Sequence, residues 1–272
     1  MKNINPIKAR DFKNIVILTG AGISADSGLA TFRDSNGHWE NHKVEDVATP
    51  EAYARDPHLV WKFYSMRRLQ AAKAHPNAAH HALVEFARRH TGSVHLITQN
   101  VDGLHDRADE SGDLPPLSMH GTLNFSRCTK CAQLYLDDHA YFDEKGDYAP
   151  QETELCTPAQ KAHPEYLHHF PLAYKDFLPL SPCCRSPLRP HIVWFGEMPL
   201  LMGVIQTALS LADLFVSIGT SGQVYPAAGF LELAKMKGAK TVCLNKEHLP
   251  QNRFVDEFIQ GKAIDTVSDF FS

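Results

Sequence analysis

Ile15-Val16-Ile17-Leu18-Thr19-Gly20-Ala21-Gly22-Ile23-Ser24-Ala25 sets the reading of the whole chain. A run of aliphatic, mostly β-branched residues enters a glycine-punctuated turn, the pattern of a buried strand closing on a tight loop. Further out, Val94-His95-Leu96-Ile97-Thr98, Leu214-Phe215-Val216-Ser217-Ile218 and Thr241-Val242-Cys243-Leu244-Asn245 repeat it, each ending in small or polar residues. Helical spacing fills the intervals over about 57–74, 77–90, 199–211, 225–237 and 251–260. Strands alternating with helices predict an α/β fold, a parallel sheet with helices on both faces. Gly20-x-Gly22-x-x-Ala25 also fits the fingerprint in which bare backbone approaches a dinucleotide pyrophosphate at a helix N-terminus. A hydride-transferring enzyme of that kind would continue through a helix into a second strand with an acidic end. Here the chain runs through Gly28-Leu29-Ala30-Thr31-Phe32-Arg33-Asp34, a polar loop, which disfavours that class.

A length of 272 residues suits about two domains, or one large unit with an insertion. With 43% hydrophobic and 21% charged residues a sizeable core is available and wholesale disorder is excluded. The formal net charge of −4 offers no global basic field, so no stable nucleic-acid partner and no anionic membrane surface is expected. No apolar run approaches the roughly 18 residues of a membrane span, and Met1 to Asn14 lacks the apolar core of an export signal. A cytoplasmic address is the expectation. Six cysteines, at 128, 131, 156, 183, 184 and 243, then read more readily as metal ligands than as disulfides. The stretch 128–190 carries five of them among scattered prolines, aromatics and histidines, with no strong period. It reads as a small inserted module (128–190) that needs a staple, set within a large domain made of 1–127 and 191–272.

Several clusters carry chemistry. Gln99, Asn100, Val101 and Asp102 follow the second strand, at the carboxyl end where open α/β sheets bind ligands, and Asn100 with Asp102 can pair with a carboxamide. His120, before Gly121, is the best candidate for a base working near neutral pH. Cys128-x-x-Cys131 has the spacing that places two thiolates on one tetrahedral ion. Tyr64 and Arg67, three apart on a helix, put a phenol and a guanidinium on one face, and Arg supplies a planar fork that matches a carboxylate.

Taken together, Gly20-Ala21-Gly22-Ile23-Ser24, Thr31-Phe32-Arg33-Asp34, Thr98-Gln99-Asn100-Val101-Asp102-Gly103-Leu104-His105, His120-Gly121, Val193-Trp194-Phe195-Gly196-Glu197 and Gly219-Thr220-Ser221 resemble a sirtuin, most closely the bacterial class III branch. The resemblance runs in family order from about residue 20 to 263 and implies a NAD-dependent protein-lysine deacylase: a Rossmann-like large domain, an inserted small zinc-binding domain, and acylated-lysine substrates entering between them. It implies that Gly20, Ala21, Gly22 and Ile23 line the NAD site and that the segment with Phe32, Arg33 and Trp39 covers it. Gln99 would contact the nicotinamide ribose, while Asn100 and Asp102 position the nicotinamide. Gly219, Thr220, Ser221, Asn245 and Ala263 would hold the adenosine side, and Val193, Phe195 and Gly196 would pair with the substrate backbone. The implied reaction is attack of the acyl-lysine oxygen on the nicotinamide ribose as nicotinamide leaves, then attack by a ribose hydroxyl that His120 deprotonates, giving O-acyl-ADP-ribose. In class III relatives the Tyr-x-x-Arg pair, here Tyr64 and Arg67, reads a succinyl or malonyl carboxylate.

The second half of the zinc ribbon departs from the family pattern. Counting back from Leu188-Arg189-Pro190, the pair should fall at 181 and 184, but 181 is serine and Cys183 and Cys184 are adjacent. Cys184 is then a ligand, and the fourth lies with Cys183 ahead of the distant Cys156, or is missing. Rival readings are a mono-ADP-ribosyltransferase and a NAD-sensing module without turnover.

Overall fold

The structure, a computed structural model, describes residues 7–30, 38–39, 42–43, 46–162, 173–250 and 252–272. Its main sheet has six strands, in the spatial order Glu257–Gln260, Lys240–Asn245, Leu214–Ile218, Asn14–Thr19, Ser93–Thr98, Leu117–Ser118, every neighbouring pair parallel. The opening strand lies in the middle, and period-two alternation explains why it has no polar face. Ile15 and Ile17 pack into one core with helices Ala78–Arg89 and Ala263–Phe270, while Val16 and Leu18 pack into a second core with helices Met202–Leu211 and Phe230–Met236. The α/β expectation is met.

Two helical boundaries move, and one expected helix is absent. The helix expected from 199 begins at Met202, after Leu201 in the left-handed region (φ 59). The stretch 225–237 divides into a 3-10 turn Ala227–Gly229 and helix Phe230–Met236. Residues 251–260, expected as a helix, hold a short 3-10 turn Asn252–Phe254 and the edge strand Glu257–Gln260. Phe254 and Phe258 are four apart and mimic a helix stripe, but the open edge of Lys240–Asn245 offers backbone pairing from Val242↔Glu257 to Asn245↔Gln260.

The middle of the chain builds a three-stranded antiparallel sheet in the order Leu188–Ile192, Gly121–Cys128, Leu134–Leu136. Helix Pro57–Lys73, capped by Asp56 accepting from the Leu59 N–H (3.0 Å), packs on it with two sides. Phe63 and Tyr64 meet Leu123, Ile192 and Trp194, whereas Trp61 meets Cys128, Tyr135, Tyr141 and Leu188. This helix therefore packs at once on the aromatic cluster of the antiparallel unit and on the segment that carries Trp194. Among the described residues no helix is long and apolar enough to cross a membrane.

Candidate active site

The register brings Thr19, Thr98 and Ile218 level, so Gly20, Gln99 and Gly219 leave the sheet side by side. The Gly20 N–H donates to the Ile218 carbonyl (3.0 Å) and the Gly22 N–H to the Gly219 carbonyl (2.8 Å). A Cβ on Gly22 would lie 2.7 Å from Gly219 Cα, one on Gly20 2.9 Å from the Gly219 oxygen, and Gly219 itself has φ 59. The glycines are demanded by two loops crossing backbone to backbone, and that crossing leaves a floor without side chains. The helix N-terminus expected after them is not formed; two three-residue 3-10 turns, Ala21–Ile23 and Ala25–Ser27, follow instead. Ala21 is half-buried, and the Ile23 side chain is spent in the core, so only its backbone is available.

Around this floor the polar groups are tied to one another. Gln99 Nε2 donates to Thr220 Oγ1 (3.0 Å), and Asn245 Nδ2 donates to the Thr220 carbonyl (2.8 Å), linking three strand ends. Ser221 Oγ accepts from the Gln223 N–H (3.3 Å). Ala263 is buried at the start of the last helix. Asn100 Nδ2 donates to the Gly20 carbonyl and to Ser24 Oγ (3.2 Å each), and Ser24 donates to Asp102 Oδ2 (2.8 Å). The other Asp102 oxygen accepts from the Leu104 N–H (2.9 Å). Burial pushes the Asp102 carboxyl up, against the pull of those donors and of Arg67 and Arg107. Val101 packs against the aromatic core beside Trp194.

His120 lies where the first two strand ends meet the antiparallel unit. Its Nδ1 is 3.1 Å from the Gln99 carbonyl, which can only accept, so a neutral ring carries its proton there and keeps Nε2 as a base. Burial lowers its pKa, with the Gln99 contact acting in the opposite direction. The His120 carbonyl accepts from the Val193 N–H (2.9 Å), tying the base to the segment expected to hold substrate. The Phe195 N–H is likewise taken, by the Ala48 carbonyl (2.9 Å). Among the described residues the carbonyls of Val193 and Phe195 and the N–H of Gly196 remain unpaired in that segment.

Tyr64 is buried (4% exposed), and its hydroxyl accepts from Trp194 Nε1 (2.9 Å). Arg67 is half-buried and makes no hydrogen bond or ion pair among the described residues. Burial works against its charge, partly offset by Asp102 and Tyr64. A crevice at the ends of strands Ser93–Thr98 and Leu117–Ser118 is lined by Thr98, Asn100, Asp102, Asp106, Ser118 and Thr122 among others. Phe32 and Arg33 lie outside the described residues, as does the side chain of Trp39, whose backbone pairs with His42.

Cys128, Cys131, Cys183 and Cys184 converge, their sulfurs all within 4.8 Å of one another. The Cys128–Cys184 separation is 3.4 Å and the Cys183–Cys184 separation 3.5 Å, close to the roughly 3.8 Å between thiolates around a tetrahedral zinc. A turn closed by the Arg185 N–H on the Ser181 carbonyl (3.0 Å) swings Cys183 into the cluster, while the Ser181 hydroxyl stands beside it, accepting from the Cys128 and Cys183 thiols (3.3 and 3.7 Å) and lying 3.4 Å from Cys184 Sγ. Cys156 is buried elsewhere, against the Asn124 carbonyl (3.7 Å). The donor set fits zinc. The polar and glycine-floored strand ends, with a half-buried carboxamide and a buried carboxylate side by side, fit a dinucleotide.

Sequence reasoning left two groups unassigned. Ser24 lay within the glycine motif, yet its bridge between Asn100 and Asp102 needs the fold to appear. Arg68, with no exposed surface, pairs with the equally buried Asp137 (3.2 Å) and donates to the His139 carbonyl (2.5 Å) and to Ser126 Oγ (3.2 Å). Nothing in the sequence marks this buried pair.

Fold and side chains define the class: an α/β enzyme with a dinucleotide pocket at the carboxyl edge of its sheet and an antiparallel unit with a four-thiol cluster. Residues 20–226 match the Sir2 family, and the chain belongs to it. It is 47% identical over 259 residues to the NAD-dependent protein deacylase of Vibrio vulnificus (strain YJ016), covering 93% of this chain and 89% of that protein. To the protein of the same name from Escherichia coli (strain K12) it is 44% identical over 267 residues, covering 97% and 82%. A Sir2 homologue solved as its NAD complex superposes with a TM-score of 0.74 at 33% identity, over 96% of this chain and 89% of that one.

Proposed function

We propose that this chain, a NAD-dependent protein deacylase, removes succinyl- and malonyl-type acyl groups as well as acetyl from protein lysines. The observation that carries the acidic preference is Arg67, a half-buried guanidinium that makes no hydrogen bond or ion pair among the described residues, on the helix face shared with the buried Tyr64 hydroxyl. A charge withheld from water and left unpaired is costly unless a ligand supplies the counter-charge. A succinyl carboxylate would meet the Arg67 fork and the Tyr64 O–H.

When bound, NAD would supply the ADP-ribosyl group that takes the acyl, so that NAD, acyl-lysine and one water give nicotinamide, O-acyl-ADP-ribose and free lysine. Asn100 and Asp102 hold the nicotinamide carboxamide, with Ser24 fixing both; Gln99 meets the ribose. Gly20, Ala21, Gly22, Ile23, Gly219, Thr220, Ser221, Asn245 and Ala263 accommodate the rest, and Phe32, Arg33 and Trp39 keep the cofactor-contacting role that the resemblance implies. His120 Nε2 takes the hydroxyl proton. The carbonyls of Val193 and Phe195 and the Gly196 N–H read substrate main chain, which makes peptide tolerance broad. Cys128, Cys131, Cys183 and Cys184 hold zinc, whose work is structural because all four positions are protein thiolates. The division into a large domain (1–127, 191–272) and an inserted module (128–190), a cytoplasmic setting, acylated proteins as partners and the absence of nucleic-acid binding belong to this reading.

The test is mass spectrometry of one lysine peptide bearing acetyl, malonyl or succinyl, with and without NAD, on the wild type and Arg67→Met. Truncating one side of a buried charge pair costs about 2–5 kcal/mol, so desuccinylation kcat/KM should fall by about thirty- to several-thousand-fold while deacetylation persists. Parallel loss of both activities would make Arg67 structural and remove the acidic preference. NAD-dependent labelling of protein in place of O-acyl-ADP-ribose would replace deacylation with mono-ADP-ribosyl transfer.

A further inference from the structure

We infer that Trp194 is a positioning residue for acyl selectivity: its indole N–H holds the Tyr64 hydroxyl with the O–H turned toward the acyl end, and a partly buried Arg189–Glu197 pair holds the indole. The inference rests on the acidic-acyl reading of Tyr64 and Arg67 and names what makes Tyr64 a donor.

An indole can only donate, so the 2.9 Å bond from Trp194 Nε1 occupies a lone pair of the Tyr64 oxygen and leaves its proton to be given elsewhere. No described residue accepts that proton. A buried phenol with its acceptor side filled and its donor side empty is set to meet an acceptor, and a carboxylate is the strongest one a substrate can bring. Without the indole N–H the hydroxyl could rotate about its C–O bond and its aim would be lost.

The indole has little freedom of its own. It is 2% exposed, with the Tyr53 ring 5.5 Å away and the Arg189 guanidinium carbon 3.3 Å from its centroid. Arg189 grips Glu197 with both terminal nitrogens (2.6 and 2.9 Å) and also donates to the Ile192 carbonyl (2.8 Å). Glu197 Oε2 in turn accepts from the Trp194 backbone N–H (2.9 Å), closing a ring of contacts around one residue. Arg127 stands 3.7 Å from the same carboxylate. Trp194 sits between Val193 and Phe195, whose N–H groups bond to His120 and Ala48. One residue thus joins the segment that would grip the substrate main chain to the group that would read the acyl tip.

The test removes the N–H and keeps the shape. Trp194 is replaced by benzothienylalanine, in which sulfur stands for the indole nitrogen, and Trp194→Phe is made as a genetically simple second variant. Thermal unfolding midpoint and zinc content establish that each is folded. The readout is the ratio of succinyl to acetyl kcat/KM on one peptide, in wild-type and Tyr64→Phe backgrounds. The expected result is a roughly three- to ten-fold fall in the ratio, the worth of one net hydrogen bond, carried by a higher KM for the succinyl peptide. In the Tyr64→Phe background the same replacement should change nothing, because the hydroxyl it orients is gone. An unchanged ratio, or an equal fall in both backgrounds, overturns the role of Trp194 while leaving the acyl reading intact. If Tyr64→Phe alone leaves the ratio at the wild-type value, Tyr64 does not read the acyl group and this inference is overturned, while the acidic preference stands or falls with Arg67→Met.

Discussion

His120 owes its usefulness to a single backbone contact. The chain has 16 histidines, and at least two others are buried neutral rings: burial lowers His105 to about 4 and His80 to about 2. His105 Nε2 is occupied by Thr19 Oγ1 (3.0 Å), whereas His120 donates from Nδ1 to the Gln99 carbonyl and keeps Nε2. Because burial depresses the His120 pKa, the neutral, base-competent form persists below the ordinary histidine value of about 6.5. Deacylase kcat/KM should therefore hold on acidification past that value and fall only as pH drops through the depressed pKa; an acid limb at or above about 6.5 would exclude His120 as the group reported. His120→Ala should lose about a hundred- to ten-thousand-fold in turnover, with NAD binding by calorimetry retained.

Helix Pro57–Lys73 shows how one element serves two ends. Arg67 and Arg68 are neighbours in sequence, but a helix turns about 100° per residue, so Arg67 shares the Tyr64 face and Arg68 enters the antiparallel unit. There Arg68, His139 and Ser126 outweigh burial and hold Asp137 well below the usual carboxylate range. Tyr141 donates to both Asp137 oxygens (3.0 and 2.9 Å). Arg68→Met would leave that carboxylate buried without its guanidinium counter-charge, and should destabilise the protein by about 3–5 kcal/mol in urea unfolding. Adding Asp137→Asn should recover part of the loss; a single-variant cost under about 1 kcal/mol would show that water reaches the pair. The same helix marks a limit of pattern reading, since its spacing predicts the helix and not which arginine meets a carboxylate from 69 residues away. The stretch 251–260 fails for the opposite reason: the pattern is helical, but an open sheet edge competes for the backbone and wins.

Across the molecule, the parallel sheet rests on two aliphatic cores, whereas the antiparallel unit relies on one aromatic cluster, the Arg68–Asp137 pair and four thiols brought together from two loops 52 residues apart. A unit with so thin a core couples metal binding to folding. About one zinc per chain is expected by elemental analysis, and chelation should lower the unfolding midpoint and abolish activity together. Cys183→Ser should reduce zinc content and Cys156→Ser should leave it intact; the reverse would move the fourth ligand to Cys156.

Hydrophobic alternation and turn residues are local properties, so the four inner strands of the parallel sheet, most of the helices between them and the clustering of polar residues at strand ends could be read from the chain directly, whereas both edge strands, Leu117–Ser118 and Glu257–Gln260, could not. The reasons for several of those residues could not. Gly20 and Gly22 are glycine because a Cβ on either would come within 3 Å of Gly219, about 200 positions later. Cys183 joins the thiol cluster because a turn at Ser181–Arg185 reverses the chain. Trp194 meets Tyr64 across 130 positions, and Arg68 meets Asp137 across 69. Such pairings depend on which surfaces the packed elements bring face to face, and that geometry is formed only when the cores close, so no spacing within the chain encodes it.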